Sequence, residues 1–500
     1  MIGILLLIPL ITAVLCYFAK SRKCIEYINL VSAAVLAIVS LFPISTSLST
    51  PIFFLENMLF MDALSSYIMS ILIFVSFVAA IYSVDYMGHE FDEGMINIKE
   101  LRYFYALLHL FIFTMTLSIA SNNIVILWMA IEGTTVVSSL LVGFYKDRAS
   151  VEAAWKYIIL CTVSLIFGLF GIFIVYYASA AVSGGEGTLN WTELRDIAHS
   201  MNPKTMKLAL IFILVGFGAK AGFAPIHNWL PDAHSQAPTP ISALLSGVLI
   251  KCAFLGIIRF VILGNESLGT SYCGRLLLIF GLVSMGIATA FILTQNNFKR
   301  LLAYSSIEHI GIIAIGMGIG GFWGIYGSLL HMLNHSIVKP LLFFTTGWVR
   351  LKYHTTEIDK VKGAITVLPV AGTVMLLGVF ALAGSPPFNI FLSEYTILKA
   401  AVDKGNWVTF SLFILFATIT FGGVIRHFGS MAFGKPSIAI SLSACCRTAQ
   451  AGHEKEKWGE HRMSLIIIIV MAVIMLVLGL YIPGFLNEML NNSVKVITGD

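Results

Sequence analysis

Four stretches of this chain, starting at Ala63, Ile158, Leu276 and Ser464, run for roughly twenty residues or more without one charged side chain. Such runs are long enough to cross a bilayer as helices, the form in which a single segment satisfies its own backbone N–H and C=O groups. Composition agrees: 58% of the 500 residues are hydrophobic and 11% charged, with a mean hydropathy of +0.89, whereas soluble domains are about a quarter charged. An ordinary soluble enzyme, a disordered chain, a coiled coil, collagen and a disulfide-rich secreted scaffold are all excluded. The net charge of +5 is spread over loops with no dense basic tract, which argues against nucleic-acid binding.

Apolar stretches set against helix breakers predict an all-α integral membrane protein of about 14 spans, at 2–19, 27–47, 63–84, 102–120, 123–145, 157–181, 206–224, 240–263, 275–295, 301–320, 322–347, 366–402 (broken), 408–433 and 464–484. The first span reads as a membrane helix rather than a signal peptide, because Lys20, Arg22 and Lys23 follow the apolar run. Placing the loop after span 1 in the cytoplasm puts 20 Lys and Arg on the cytoplasmic side and 7 on the other. That is the positive-inside bias, and it places both termini outside. The seven cysteines, Cys16, Cys24, Cys161, Cys252, Cys273, Cys445 and Cys446, form no CxxC pair or Cys/His cluster, and read as small apolar residues.

Lys220, Lys251, Arg259 and Lys339 are the cations left inside the spans; Glu132, Glu308 and Glu394 are the carboxylates, with His109, His309, His331 and His335 beside them. A charge at mid-bilayer costs about 2.5–3.5 kcal/mol on insertion scales. Ion-pair glue between helices could explain any one of these residues; the whole set points to a polar axis with a use.

Two spans carry breaks. Gly216, Gly218, Gly222 and Pro225 interrupt the span holding Lys220, and Gly384, Ser385, Pro386 and Pro387 interrupt the one holding Glu394. Discontinuous helices are where transporters turn backbone polar groups toward a cavity. Glu132 to Lys220 is 88 residues and His309 to Glu394 is 85, each interval running from an unbroken span to a broken one. This suggests two five-helix units, spans 4–8 and 9–13, inverted in the membrane because five is odd.

His331, His335 and Lys339 lie at i, i+4 and i+8 and share a helix face, drifting about 40° per step. Imidazole accepts and donates protons near neutral pH, so the row reads as a relay. Haem or metal ligation, and core histidines bonded to neighbouring helices, are the alternatives. Lysine suits a relay because burial disfavours its charge and a carboxylate restores it. A movable Glu132–Lys220 ion pair would then be a switch.

These residues sit in GAKAGFAPIHNWLPDAHSQAPTPISALLSGVLIKCAFLGIIRF, RLLAYSSIEHIGI and HMLNHSIVKPLLFFTTG. The pattern resembles the antiporter-like, proton-translocating membrane subunits of respiratory complex I, multisubunit cation/proton antiporters and membrane-bound group 4 NiFe hydrogenases, over roughly residues 60–430. WMAIEGTTVVSSLLVGFY and EAAWKYIILCTVSLIFGLFG look most like the hydrogenase-4 and formate hydrogenlyase type. The resemblance implies three N-terminal helices (1–100), a first five-helix repeat (101–263), a second (264–433), and a cytoplasmic loop with the last helix (434–500). It implies that Glu132 and Lys220 form a gating pair, that Lys251 is the next relay site, that His309, His331, His335 and Lys339 connect the half-channels, and that Glu394 is the terminal site.

The sequence also departs from the family. It ends soon after span 14, without the long lateral helix of the largest members. Roles for His109, Glu308 and Asp62 are not assignable from sequence, and segment 441–462 has no motif support.

The expected function is proton translocation within a redox-driven complex in the inner (cytoplasmic) membrane, a NiFe hydrogenase or complex I-like NADH:quinone oxidoreductase. No cofactor or metal is expected in this chain, which has no GxGxxG motif after a strand and no cluster-binding cysteines. NiFe and iron–sulfur centres would lie in partner subunits, namely a peripheral arm with hydrogenase-like and ferredoxin-like members, beside further membrane subunits. The rivals are a Na⁺/H⁺ antiporter subunit and a stand-alone solute transporter; a quinone-binding subunit is a poorer option that no sequence feature selects.

Overall fold

The computed structural model describes residues 1–435 and 462–499. Its helices are α1 (Ile2–Phe18), α2 (Arg22–Ser47), α3 (Ala63–Asp92), α4 (Ile98–Ala120), α5 (Ile124–Val142), α6 (Arg148–Ser183), the short α7 (Trp191–Ile197), α8 (Pro203–Ala221) and α9 (Trp229–Gln236). There follow α10 (Thr239–Leu268), α11 (Thr270–Leu293), α12 (Phe298–Ile319), α13 (Gly321–Tyr353), α14 (Pro369–Leu382), α15 (Asn389–Asp403), α16 (Trp407–Ala432), α17 (Arg462–Leu480) and α18 (Gly484–Thr498). The expected loop at 441–462, with Cys445 and Cys446, lies outside the described residues apart from Arg462, which opens α17.

Helix starts follow local chemistry. Asp62, Asn97, Asn123, Asp147, Asn202 and Asn297 each cap the next helix by accepting a backbone N–H two or three residues on. Asn97 with Glu100 completes a capping box. A hairpin absent from the sequence reading, β1 (Ile52–Phe54) paired antiparallel with β2 (Leu59–Met61), delivers Asp62 to the start of α3.

Ten helices among the described residues are long and apolar enough to cross a membrane, and α1 and α14 are shorter apolar helices. The chain is therefore an integral membrane protein. Phe167, Phe170 and Phe173 on α6, and Ile466, Ile469 and Val473 on α17, are exposed as a lipid-facing surface requires. By contrast α13, 33 residues long, is not among the ten: its polar row lowers its hydropathy, and neighbouring helices bury it nearly all round. Backbones approach closely through paired glycines. A Cβ on Gly281 (α11) would lie 2.7 Å from the Gly311 carbonyl oxygen (α12), and one on Gly216 (α8) 2.5 Å from Gly168 (α6).

Both expected breaks are present. Gly222, at φ +96°, ends α8, and the chain crosses seven residues before α9. Gly384, at φ +70°, follows α14 before the Pro386–Pro387 pair and α15. Within α10, residues Leu245–Leu249 form a π turn, an irregularity with no cue in the sequence.

Candidate proton-relay site

Glu132 faces α6 from the middle of α5, half-buried. Its Oε1 accepts from Thr162 Oγ1 at 2.6 Å, and its Oε2 has no hydrogen-bond partner. Lys220, in the last turn of α8, is fully buried. Its Nζ donates to Thr135 Oγ1 at 2.8 Å and Tyr157 Oη at 2.6 Å, and lies 4.6 Å from the Tyr157 ring centre and 5.7 Å from that of Trp229. No ion pair joins Glu132 to Lys220 among the described residues; two hydroxyls hold the lysine instead.

The end of α8 explains the lysine's position. Because the helix stops at Ala221, the Ala219 carbonyl takes only a longer bond from the Gly222 N–H, at 3.2 Å, and also accepts from Trp229 Nε1 at 2.8 Å, folding the broken segment back over the site. Trp229 then stacks on Tyr157 at 4.6 Å, and Ser138 holds the Tyr157 hydroxyl at 2.8 Å.

Lys251 comes next, buried on α10 just after the π turn. A π turn carries one extra residue and withdraws a carbonyl from the α-ladder. Here the Ser246 carbonyl accepts from Lys251 Nζ at 2.6 Å, and the same nitrogen reaches His335 Nδ1 at 2.6 Å. His335 packs against His309, ring centres 5.0 Å apart, and its Nε2 is buried without a hydrogen-bond partner.

His309 Nδ1 lies 2.9 Å from His331 Nε2, and His331 Nδ1 lies 2.9 Å from Ser393 Oγ. Glu394 follows at once on α15, half-buried. Its carboxylate packs on Gly384, where a Cβ would collide with it. The ligand atoms of His309, His331 and Glu394 all lie within 4.8 Å of one another. Lys339 is one turn beyond His335 and points elsewhere, donating to the Leu302 carbonyl at 2.6 Å and to Ser305 Oγ. The sites thus separate into Glu132 beside Lys220; Lys251 with the histidines and Glu394; and Lys339 against α12. Lys220 makes no hydrogen bond to Lys251.

Thr135, Tyr157 and Ser393 went unnoticed in the sequence, since hydroxyl residues are common in membrane helices and only the fold aims them; Ser246 went unnoticed because it acts through its backbone carbonyl. His234, on α9 in the motif PDAHSQAP, carried a signal that was passed over. It is fully buried, with neither ring nitrogen within hydrogen-bond geometry of a partner. Two unassigned residues gain structural roles. His109 Nε2 bonds Asn29 Oδ1 at 3.1 Å, and Asn29 in turn bonds the Ala80 carbonyl. Asp62 forms a two-pronged pair with Arg259 at 2.7 and 2.8 Å while its Oδ1 caps α3. Arg259 also donates to Ser65 Oγ and stacks over Trp191 at 4.1 Å.

A helical membrane protein with buried lysines and histidines, among them a bonded Lys251–His335 pair and a bonded His309–His331 pair, together with two broken helices, defines a class: antiporter-like membrane subunits. Residues 121–420 match the family described as NADH:quinone oxidoreductase/Mrp antiporter, transmembrane, and the chain belongs to that family. It is similar to the hydrogenase-4 component F homolog of Methylacidiphilum infernorum, at 38% identity over 73% of this chain and 76% of that one. Among solved structures, a chain of an archaeal respiratory membrane complex, the membrane-bound sulfane sulfur reductase, superposes with TM-score 0.83 at 25% identity, covering 99% of this chain and 97% of the other. A chain of the Mrp complex from Dietzia sp. DQ12-45-1b shares the fold, with TM-score 0.83 at 18% identity over 99% and 96%.

Proposed function

We propose that this chain translocates protons as a subunit of a redox-driven membrane complex of the hydrogenase or complex I-like type. The observation that carries the reading is the series Lys251–His335, His309–His331–Ser393, in which lysine, imidazole and hydroxyl groups stand at hydrogen-bond distance in the membrane interior. A proton leaves Lys251 Nζ for His335 Nδ1; His335 loses its Nε2 proton toward His309, and the His309–His331 pair passes one on toward Ser393 and Glu394. Each imidazole takes a proton on one nitrogen and gives it up from the other, so no charge builds up on the row. Upstream, Glu132 moving onto Lys220 retains the lysine's proton, and retreat to Thr162 releases it.

In this reading the chain crosses the membrane fourteen times with both termini on the outer side. Residues 101–263 and 264–433 form inverted five-helix units between the N-terminal helices (1–100) and segment 434–500. Lys339 serves the second unit as Lys220 serves the first. Redox centres of NiFe and iron–sulfur type belong to hydrogenase-like and ferredoxin-like partners in a peripheral arm. The hydrogenase-4 name of the Methylacidiphilum relative and the respiratory complex of the archaeal neighbour support this assignment.

A second reading, Na⁺ exchange for protons, draws on one observation: Glu308 is a buried carboxylate whose Oε2 has no hydrogen-bond partner, and Thr289 and Thr420 pair their hydroxyls at 3.1 Å on the helices around it, so oxygen donors are on hand. Proton uptake by the purified complex in proteoliposomes separates the two. Lys220→Ala should abolish redox-driven proton uptake with the complex intact, and omission of Na⁺ at constant pH should leave wild-type uptake unchanged. Uptake that persists in Lys220→Ala refutes the relay; uptake that collapses without Na⁺ installs the second reading.

A further inference from the structure

We infer that His309, His331 and Glu394 form a binding site for a borderline divalent transition-metal ion of the Zn²⁺ class, seated where α12, α13 and α15 meet. Three donor atoms from three helices already converge within 4.8 Å.

Hydrogen bonding also fixes which nitrogen of His331 is free to ligate. Ser393 has one hydroxyl hydrogen, and the Ile390 carbonyl at 2.8 Å takes it. The Ser393 oxygen therefore accepts from His331 Nδ1–H at 2.9 Å, and from Asn334 Nδ2 at 3.2 Å. That leaves the His331 Nε2 lone pair turned toward His309. His309 presents Nδ1 to that nitrogen at 2.9 Å. At 2.9 Å the two nitrogens can be held together only by a positive centre between them. A shared proton is one such centre, and a metal ion is the other. A bond from the outer ring nitrogen to a neighbouring oxygen, as His331 makes to Ser393, is a usual way a protein orients an imidazole ligand.

The donor set selects the ion. Two imidazoles and one carboxylate suit Zn²⁺, Co²⁺ or a similar metal; Na⁺, Mg²⁺ and Ca²⁺ prefer oxygens alone. Metal–nitrogen bonds of 2.0–2.1 Å in a tetrahedron place two nitrogens about 3.3 Å apart, so the pair opens by only about 0.4 Å, and Glu394 moves in from the Gly384 break. A water completes the fourth position. An ion held here replaces the proton between the two rings. Binding does not depend on the relay, but the block to transport that follows from it rests on the proposed function.

The test uses the full-length chain in detergent, stripped of metal and titrated with Co²⁺ and then Zn²⁺. The result expected is one ion per chain with a tetrahedral Co²⁺ absorption spectrum, displaced by Zn²⁺. Zinc-edge X-ray absorption on the wild type should show two imidazoles, a readout that needs no variant. Ser393→Ala should weaken binding about 10–100-fold, His331→Ala should weaken it further, and the remote Glu132→Gln should bind as wild type. No binding at millimolar Co²⁺, an all-oxygen coordination shell, or binding unchanged in both His309→Ala and His331→Ala overturns the site. Stoichiometric binding without loss of proton uptake in proteoliposomes keeps the site and overturns the block.

Discussion

The Asp62–Arg259 pair permits a quantitative test independent of transport. Arg259 donates two N–H groups to the carboxylate at 2.7 and 2.8 Å and a third to Ser65 at 2.7 Å, with its guanidinium 4.1 Å above Trp191. Both residues are nearly inaccessible, at 4% exposure each. Removing one member of a buried pair strands the other's charge, at a cost of about 3–5 kcal/mol. Arg259→Met should therefore lose about 3–5 kcal/mol in SDS-induced unfolding from mixed micelles. Asp62→Asn should lose a similar amount, although its side-chain oxygen still caps α3 through the Ser65 N–H. The double variant leaves no unpaired charge, so it should fall within about 1 kcal/mol of the milder single variant. Arg259→Lys keeps the charge but loses the fork and the stack, and should sit between wild type and Arg259→Met. Additive costs in the double variant would refute the argument, because the two side chains would then be stabilising the fold separately. Proton uptake per folded molecule should be the same in every variant, since neither residue touches the relay.

Two further outcomes follow from the site. Tyr157→Phe removes one of the two hydroxyls that hold the Lys220 ammonium, a charged hydrogen bond worth about 1.5–3 kcal/mol. It should cut proton uptake about tenfold or more in proteoliposomes, whereas Ser138→Ala, which touches Tyr157 but not the lysine, should cost less than about threefold; equal losses would mean that Tyr157 acts through packing alone. Gly384→Ala puts a Cβ at φ +70° and against the Glu394 carboxylate; it should destabilise the chain by about 1–2 kcal/mol, measured by the same SDS titration, and lower uptake more than Gly422→Ala, which meets nothing within 4 Å.

The sequence was most legible where chemistry is local. The Gly/Pro clusters at 216–225 and 384–387 broke helices within a few residues of expectation. Charges inside apolar spans were conspicuous because lipid makes them costly, so Lys220, Lys251 and Glu394 could be picked out by subtraction. The i, i+4, i+8 row was also legible, but its division was not: His331 and His335 turn to His309 while Lys339 reaches a carbonyl on α12, because small drifts around a helix select different neighbours. Hydroxyl partners such as Tyr157 and Ser393 left no trace, being ordinary until a second helix meets them. The π turn before Lys251 was invisible for a related reason: five apolar or small residues, LSGVL, carry no propensity for it. Glu132 and Lys220 stood out as a pair by chemistry, yet distance alone decides whether two such groups meet, and only the structure shows each on other partners, Thr162 for the one and Thr135 with Tyr157 for the other.

The anchoring of α10 bears on how any relay through it can work. Arg259 is clamped by Asp62, Ser65 and Trp191 and lies eight residues beyond Lys251, about 12 Å along the helix axis. A shaft pinned that near its working point does not spin or slide as a body. Motion at Lys251 is thus confined to its own four-carbon stem and to the slack turn immediately before it. Charge would cross this part of the membrane on a swinging side chain, with the surrounding helices standing still.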